Sequence, residues 1–264
     1  MPAAEPPERA DDATAAVLRA LGLGYRFADG VWAYRDVDFS LSAGKIAVLA
    51  GRNGAGKTFL AKCLAGLLDP TEGSVFVSGS DIRLVAGSRA QRIGYVFQDA
   101  RLQAVGETVL DDALFGPTNL GLPPAEALSR AEDAILACGL EDLKDRFVHN
   151  LSGGELRRLA IAGVLAMLPE AVVLDEPFVN LDPEGVKAVL GIARDMAGKG
   201  IGVLIVTHEL EKVLGLACSL SVMDGGRIVL SGEPASILAS GIESCGLRNP
   251  FRPISRIEDL QWLD

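Results

Sequence analysis

The octet GRNGAGKT, residues 51–58, constrains the fold of this 264-residue chain more than any other stretch. It fits the pattern G-x-x-x-x-G-K-[ST], follows the apolar run IAVLA, and precedes the helix-like run TFLAKCLAGLL. Glycines let the backbone curl so that several amides point into one concavity, and the positive end of the helix dipole also favours an anion. A buried strand, a phosphate-binding loop and a helix in this order predict an α/β fold, whereas a glycine-rich turn without a ligand would not need both flanks.

The octet, here named the phosphate loop, predicts a binding site for the phosphates of a nucleotide. Lys57 is expected to bridge the β- and γ-phosphates, and Thr58 is expected to hold Mg²⁺ through its hydroxyl. The other residues of the loop form the remainder of the phosphate site: Gly51, Arg52, Asn53, Gly54, Ala55 and Gly56.

Two adjacent carboxylates end a second apolar run, VVLDEP, at the position where sites in α/β sheets normally open. Asp175 suits the second coordination shell of Mg²⁺, through water. Glu176 suits a general base that polarises the water attacking the γ-phosphate. Solvated loop charges are the alternative, and the phosphate loop upstream favours the catalytic interpretation.

A second candidate anion site begins at LSGGE, residues 151–155. Ser152 and Glu155 have the spacing of a capping box, so a purely structural helix cap accounts for both. Gly153 and Gly154 exceed what a cap requires, because they leave bare amides at the positive end of a helix. The residues alone leave a cap and an anion site as open alternatives.

The order of patterns along the chain predicts its organisation. Short strand-like runs from Val17 predict an antiparallel sheet, and AVVLDEP, a helical stretch from Pro183 to about Lys199, and IGVLIVTHE predict parallel α/β structure. Helical periodicity predicts an inserted helical subdomain. The expected boundaries are a disordered tail at 1–14, a main domain at 15–240 with its helical subdomain at about 105–168, and a C-terminal appendage at 241–264.

Composition limits the classes of partner. The net charge of −10 and the lack of a Lys/Arg-rich run count against nucleic acid as the main partner. The run LAIAGVLAML is shorter than the about 20 apolar residues that cross a bilayer, so work at a membrane would need another chain. His149 is expected to be structural. The cysteines form no CxxC pair and are expected to be small buried thiols in a reducing cytosol: Cys63, Cys138, Cys218 and Cys245.

The chain resembles ATP-binding-cassette (ABC) ATPases over about residues 17–240. Six motifs carry the resemblance, in order: GRNGAGKT as Walker A, YVFQD with Gln98 as the Q-loop glutamine, LSGGE as the signature, VVLDEP as Walker B, NLDP with Asp182 as the D-loop aspartate, and IVTHE with His208 as the switch histidine.

This resemblance implies a P-loop NTPase (RecA-like) core with an N-terminal antiparallel β subdomain and an inserted α-helical subdomain, which hydrolyses ATP with Mg²⁺. His208 would contact the γ-phosphate and stabilise the transition state. Gln98 would sense Mg²⁺ or water and link to the helical subdomain. Phe27, in YRFADG, would stack on adenine, with Tyr25 as a nearby alternative.

The resemblance also implies a dimer, homo- or heterodimeric, in which the signature of one cassette contacts the γ-phosphate held by the phosphate loop of the other. Ser152, Gly153, Gly154 and Glu155 would then bind the partner's nucleotide, and neither half-site would be complete alone.

Residues 97–123, FQDARLQAVGETVLDDALFGPTNLGLP, are similar to energy-coupling-factor (ECF) transporter ATPases, the group that includes cobalt and nickel uptake cassettes. Gln103 and FGPTNLGL fit, whereas Ala100 and Arg52 stand where proline is common. The similarity implies a peripheral protein at the cytoplasmic face of the membrane. It would power uptake of a metal ion or vitamin that separate integral membrane subunits recognise.

Two other functions stay open at this point. A non-transport ABC ATPase, in DNA repair or on ribosomes, usually carries long coiled coils or two cassettes, and neither is visible here. A nucleotide-gated module without turnover would not need both Glu176 and His208.

Overall fold

The computed structural model describes residues 16–84 and 89–250. The tail predicted at 1–14, and residues 251–264 of the predicted appendage, lie outside this range.

The strands of the described residues are β1 Ala16–Arg26, β2 Trp32–Ser42, β3 Ile46–Gly51, β4 Glu72–Val77, β5 Ser80–Asp81, β6 Ile93–Val96, β7 Ala171–Asp175, β8 Gly202–Val206, β9 Ser219–Asp224 and β10 Arg227–Gly232. The α-helices are α1 Lys57–Leu64, α2 Arg89–Arg92, α3 Val109–Asn119, α4 Pro124–Ala137, α5 Gly153–Leu165, α6 Pro183–Gly198, α7 Leu210–Val213 and α8 Pro234–Ala239. Single 3-10 turns cover Ala100–Leu102, Glu141–Leu143, Val148–Asn150 and Ile242–Cys245.

These strands form two sheets. One is antiparallel, in the order β2-β1-β4-β5, and the other has the order β10-β9-β3-β8-β7-β6. In the second sheet only the β9–β10 pair is antiparallel. The predicted α/β class and the antiparallel sheet near the N-terminus are therefore confirmed.

The strands β3, β7 and β8, which lead to the predicted site residues, are buried along their whole length, as their uninterrupted apolar sequences predict. They are parallel neighbours in the order β3, β8, β7, so their carboxyl ends meet at one edge of the sheet. The sheets approach closely at Gly202, where a Cβ would lie 2.7 Å from Cγ1 of Val17. A Cβ at this position would require the side chain of Val17 to shift, so glycine allows the close approach.

Helices α3, α4 and α5 pack against one another and form the helical subdomain. The helix α3 begins with a capping box in which the side chains of Thr108 and Asp111 each bind the other's backbone N–H. All three helices lie within the range predicted for the helical subdomain, and the domain boundaries themselves stay predictions.

The first part of the predicted appendage packs against the main domain, where Ile242 and Leu247 are buried. All four cysteines are free thiols. Cys63, Cys138 and Cys245 are buried, but Cys218 is exposed, so the buried-thiol prediction is wrong at that position. Within the described residues, no helix has the length and apolar character that crossing a membrane requires.

Candidate functional site

The phosphate loop connects the end of β3 to the start of α1, as the sequence predicts. Gly56 precedes the helix with a φ of 99°, and a Cβ there would lie 2.5 Å from the carbonyl oxygen of Ala33. A Cβ on Gly51 would lie 2.3 Å from the carbonyl oxygen of Met223. No side chain caps α1, so the positive end of the helix faces the loop.

Lys57 is only 6% exposed, and its ammonium group donates hydrogen bonds to the carbonyl oxygens of Gly51 at 2.7 Å and Arg52 at 3.1 Å. Its Nζ atom also lies 3.9 Å from Oε1 of Glu176. Burial lowers the pKa of this ammonium group, and the carboxylates of Glu176 and Asp175 oppose that shift. The Lys57 ammonium group is therefore held at the phosphate loop by two backbone carbonyls of the loop and by the carboxylate of Glu176, which follows β7.

The other loop positions differ in exposure. Arg52, Asn53 and Gly54 are exposed, whereas Ala55 is buried. The Arg52 side chain lies against Gly246 in the C-terminal segment, where an added Cβ would lie 2.3 Å from Cδ of Arg52. Arg52 therefore contributes its backbone to the loop and its side chain to a contact that the sequence did not predict.

Asp175 ends β7 and is buried, with two side-chain contacts. Its Oδ2 accepts a hydrogen bond from the Tyr95 hydroxyl at 2.7 Å, and its Oδ1 lies 3.5 Å from Oγ1 of Thr58, at the limit of a hydrogen bond. Burial raises the pKa of this carboxyl, and the hydrogen bonds from Tyr95 and Thr58 oppose the rise. The structure thus brings Asp175 and Thr58 together.

Glu176 follows in the left-handed region, with φ at 45°, a conformation that carries strain in a residue with a side chain. Its Oε1 lies 3.0 Å from Nδ1 of His208, and its Oε2 accepts a hydrogen bond from the Thr207 hydroxyl at 3.2 Å. Its backbone N–H donates to the carbonyl oxygen of Val206 at 2.8 Å. The Glu176 side chain is therefore held from two sides and is 9% exposed, whereas the His208 side chain is 46% exposed.

Gln98 lies just beyond β6 and is exposed. Its carbonyl oxygen accepts a hydrogen bond from Arg157, but its side chain forms no hydrogen bond with the described part of the chain. Among the described residues, the Gln98 amide therefore has no hydrogen bond to Asp175 or Glu176.

The signature residues form the helix cap that their spacing predicts. The Ser152 hydroxyl accepts from the Glu155 backbone N–H at 3.3 Å, and Glu155 Oε2 accepts from the Ser152 N–H at 2.7 Å. The hydrogen bonds from Ser152 lower the pKa of Glu155. A Cβ on Gly153 would meet nothing within 4 Å. No hydrogen bond of this cap, within the residues described, reaches the phosphate loop of the same chain.

Asp182 also caps a helix, since its Oδ1 accepts a hydrogen bond from the backbone N–H of Gly185 at 2.7 Å. This contact fixes the start of α6. The role of Asp182 at a dimer interface stays a prediction.

Three aromatic rings cluster beside the phosphate loop. Phe27 meets Phe59 edge to face, with ring centroids 4.9 Å apart, and Tyr25 stacks on Phe59 at 5.5 Å. Phe27 and Tyr25 also meet edge to face at 5.7 Å. The predicted adenine-stacking residue thus shares its environment with Phe59, which follows Thr58 directly.

Three residues of the candidate site were not predicted from the sequence: Tyr95, Thr207 and Phe59. Tyr95 lies within YVFQD, a motif from which only Gln98 was predicted as a site residue. Its contact with Asp175 depends on β6 being the neighbour of β7. Thr207 is adjacent to His208 and Phe59 is adjacent to Thr58. Their adjacency to predicted site residues was the signal that could have identified them.

Comparisons with known proteins identify the family and the fold that the chain resembles. The family model described as ABC transporter matches residues 34–179. The chain is 36% identical over 239 residues to the energy-coupling factor transporter ATP-binding protein EcfA of Methanocaldococcus jannaschii, covering 89% of this chain and 86% of that protein. It is 38% identical over 240 residues to the cobalt import ATP-binding protein CbiO of Rhodobacter capsulatus, with coverage of 89% and 86%.

Among solved structures, the chain is similar to cbiO1 from Clostridium perfringens, a part of the ABC transporter complex cbiONQ. The TM-score is 0.78 at 34% identity, over 85% of this chain and 91% of that one. These similarities confirm the predicted fold class.

Proposed function

Because the chain belongs to the ABC transporter family, we propose that it is the ATP-hydrolysing subunit of an ECF-type importer. Two cassettes bind two ATP molecules between them and power uptake of a metal ion or vitamin through separate membrane subunits. One observation carries the proposal: Lys57, Glu176 and His208 converge at the carboxyl ends of adjacent parallel strands.

In this proposal Glu176 is the general base. It takes a proton from water, whose oxygen attacks the γ-phosphorus while the bond to the β–γ bridging oxygen breaks, giving ADP and phosphate. The hydrogen bond from Thr207 and the contact with His208 orient the carboxylate. Lys57 and the start of α1 neutralise phosphate charge, and His208 stabilises the transition state at the γ-phosphate.

The residues near α1 also fit Mg²⁺. The Thr58 hydroxyl and the buried Asp175 carboxylate converge to 3.5 Å, and oxygen donors are the ligands that Mg²⁺ prefers. The described residues include no cluster of three or more His, Cys, Asp or Glu side chains that could hold a metal by itself. Thr58 would hold the ion directly, Asp175 and Gln98 would hold it through water, and the ion would supply positive charge to the phosphates.

The signature acts on the partner's nucleotide. Ser152, Gly153 and Gly154 lie at an accessible helix start, and their hydrogen bonds leave the glycine amides open on the outer side. Glu155 is already used by the cap and by an ion pair with Arg146 at 3.6 Å. Ser152 and the two glycines therefore bind the γ-phosphate across the dimer, Glu155 holds them in place, and Asp182 lies at the same interface.

A groove on the helical subdomain suits the membrane subunit. Its volume is about 720 Å³, and its rim carries Val105 and Phe147, which are 57% and 50% exposed. The ring of His149, predicted to be structural, stacks on Phe147 at 5.5 Å and lines the same groove. An apolar helix end of an integral membrane subunit would cover this surface and hold the cassette at the cytoplasmic face of the membrane.

Co-purification tests the proposal. Tagged wild-type chain, extracted with detergent from membranes of its native cell, is expected to recover a multi-spanning protein identified by peptide mass. Phe147→Asp should lose that partner, while Leu136→Asp, on an exposed position of α4, should retain it. Recovery from the soluble fraction alone would contradict the importer assignment. Salt-sensitive binding to duplex DNA or ribosomes would favour the non-transport alternative.

A further inference from the structure

Arg157, on the signature helix α5, is a buried cation that binds main-chain carbonyl groups. The residue is 4% exposed, its Nη1 donates to the carbonyl oxygen of Phe97 at 2.5 Å, and its Nη2 donates to that of Gln98 at 2.5 Å. The planar guanidinium presents parallel donors in a fixed geometry, which matches two successive carbonyls. The helix that presents the signature is therefore fastened to the backbone of the Q-loop.

Burying a cation opposes folding unless its charge and its hydrogen bonds are satisfied. Burial lowers the pKa of this guanidinium, and the carboxylates of Asp99 and Asp175 favour its charged form. One of these carboxylates belongs to the Q-loop and the other to the candidate metal site. Arg157 is thus connected to the nucleotide site in two ways: by hydrogen bonds to the Q-loop backbone and by its electrostatic attraction to Asp175.

Gln103 provides a second, separate link between the same two segments. Its side-chain oxygen accepts from the Phe97 backbone N–H at 3.1 Å, and its side-chain nitrogen donates to the Ala160 carbonyl on α5 at 3.2 Å. Both polar groups of the Phe97 backbone are consequently bound by side chains that join the Q-loop to α5.

The fastened segment leads directly to the catalytic edge of the sheet. The ring of Phe97 packs against Tyr95 with centroids 4.9 Å apart, and Tyr95 donates to Asp175 at 2.7 Å. A displacement of α5 would therefore be transmitted through the Q-loop backbone to Asp175.

We infer that Arg157 is a positioning residue that makes the signature helix and the Q-loop move as one unit. Through it, the position of Gln98 in the chain's own ATP site follows the position of Ser152, which acts on the partner's ATP. This inference rests on the proposed function, because the signature matters to turnover only if two cassettes share each nucleotide.

The adjacent residue supplies a matched control. Arg158 Nη1 donates to the carbonyl oxygens of Cys138 at 3.1 Å and Gly139 at 2.8 Å, both at the end of α4. Arg157 and Arg158 both lie on α5, and each side chain binds two backbone carbonyls. Arg158 joins parts of the helical subdomain to each other, whereas Arg157 joins that subdomain to the nucleotide site.

The experiment compares ATP turnover and ATP affinity in purified full-length Arg157→Gln, Arg157→Lys and Arg158→Gln. We expect kcat to fall roughly 10–100-fold in Arg157→Gln, as for displaced catalytic groups, with ATP affinity within about threefold because the phosphate loop is untouched. Arg157→Lys keeps the charge but loses the paired donors that bind both carbonyls, so its kcat should lie between those of Arg157→Gln and the wild type. Arg158→Gln should retain kcat within about twofold, since it lies outside this connection.

A double variant separates positioning from loss of fold stability. If Arg157 acts through the Q-loop, Arg157→Gln should lower kcat by less than about threefold in a Gln98→Ala background, because both changes disable one element. Two results would overturn the inference and leave the proposed function intact. One is an equal loss of kcat in Arg157→Gln and Arg158→Gln. The other is a fold-loss of kcat from Arg157→Gln that is as large in the Gln98→Ala background as in the wild type. No ATP turnover by the wild-type chain would overturn the proposed function and this inference with it.

Discussion

The Nδ1 atom of His208 lies 3.0 Å from Oε1 of Glu176, so the predicted switch histidine and the proposed base are in direct contact. The two residues come from the ends of neighbouring parallel strands, β8 and β7. Since Thr207 binds the other carboxylate oxygen, both oxygens of Glu176 have a fixed partner. The orientation of the Glu176 carboxylate thus depends on β8, because Thr207 and His208 directly follow that strand.

Replacing Glu176 by Gln should lower ATP turnover by roughly 10²–10⁴-fold, the usual contribution of a general base. The amide keeps the shape and can still contact Thr207 and His208, so ATP binding should be retained and an ATP-bound dimer should accumulate. Phosphate release and size-exclusion chromatography with ATP would measure both effects. Glu184→Gln, on an exposed position of the first turn of α6, is the control and should retain wild-type turnover.

The ends of the buried strands were predictable because the sequence itself carries the pattern. An apolar run followed by DEP or THE places Asp175, Glu176 and His208 at the edge where parallel strands end. Tyr95 and Arg157 could not be found this way. The contact of Tyr95 depends on which strand lies beside β7, and that of Arg157 depends on the path of a long side chain between two segments about 60 residues apart.

The adenine site and the C-terminal segment show the same limit. Phe27 and Tyr25 were both predicted as candidates, and only their orientations relative to Phe59 distinguish them. The contact between Arg52 and Gly246 joins positions almost 200 residues apart and depends on how the segment after α8 returns to the main domain. Local sequence patterns carry no information about such a return.

Asp175→Asn should stabilise the fold at neutral pH while reducing turnover. Burial raises the pKa of the Asp175 carboxyl, so its protonation favours the folded state at low pH, and this contribution is lost as the pH rises through the raised pKa. At about pH 7.5 the ionised carboxyl therefore opposes folding, and removing its charge should raise Tm by about 2–4 °C. Turnover should fall roughly 10–100-fold because a group that orients the metal is weakened.

Thermal unfolding without nucleotide or Mg²⁺, at about pH 7.5 and about pH 5.5, would measure this gain, which should shrink as the pH is lowered toward the raised pKa. Asp195→Asn, an exposed carboxylate on α6, serves as the control and should change neither Tm nor turnover. A lower Tm for Asp175→Asn at neutral pH would contradict the assigned cost of its charge.

Gly246→Ala should destabilise the chain more than Gly241→Ala does. Both glycines have positive φ, at 68° and 88°, so an added Cβ strains the backbone at each. At Gly246 the Cβ would also lie 2.3 Å from Cδ of Arg52, whereas at Gly241 its nearest neighbour is a Glu243 oxygen at 3.8 Å. Denaturant unfolding should give losses of about 1–3 kcal/mol, with the larger loss at Gly246. Adding Arg52→Ala should recover the difference between them. Equal losses in the two glycine variants would mean that Arg52 moves aside, and a larger loss at Gly246 without recovery would mean that it does not come from Arg52.

Phe27→Ala should weaken ATP binding by about 1–3 kcal/mol, the range for a base stacked on an aromatic ring. Tyr25→Ala should weaken it less, because the Tyr25 ring already stacks on Phe59 with an interplanar angle of 20°, while Phe27 meets Phe59 at 89° and keeps a face free of that ring. Binding of a ribose-labelled ATP analogue in the Glu176→Gln background would measure affinity without turnover, and Phe27→Tyr should bind normally. A larger loss in Tyr25→Ala than in Phe27→Ala would assign the adenine contact to Tyr25 instead.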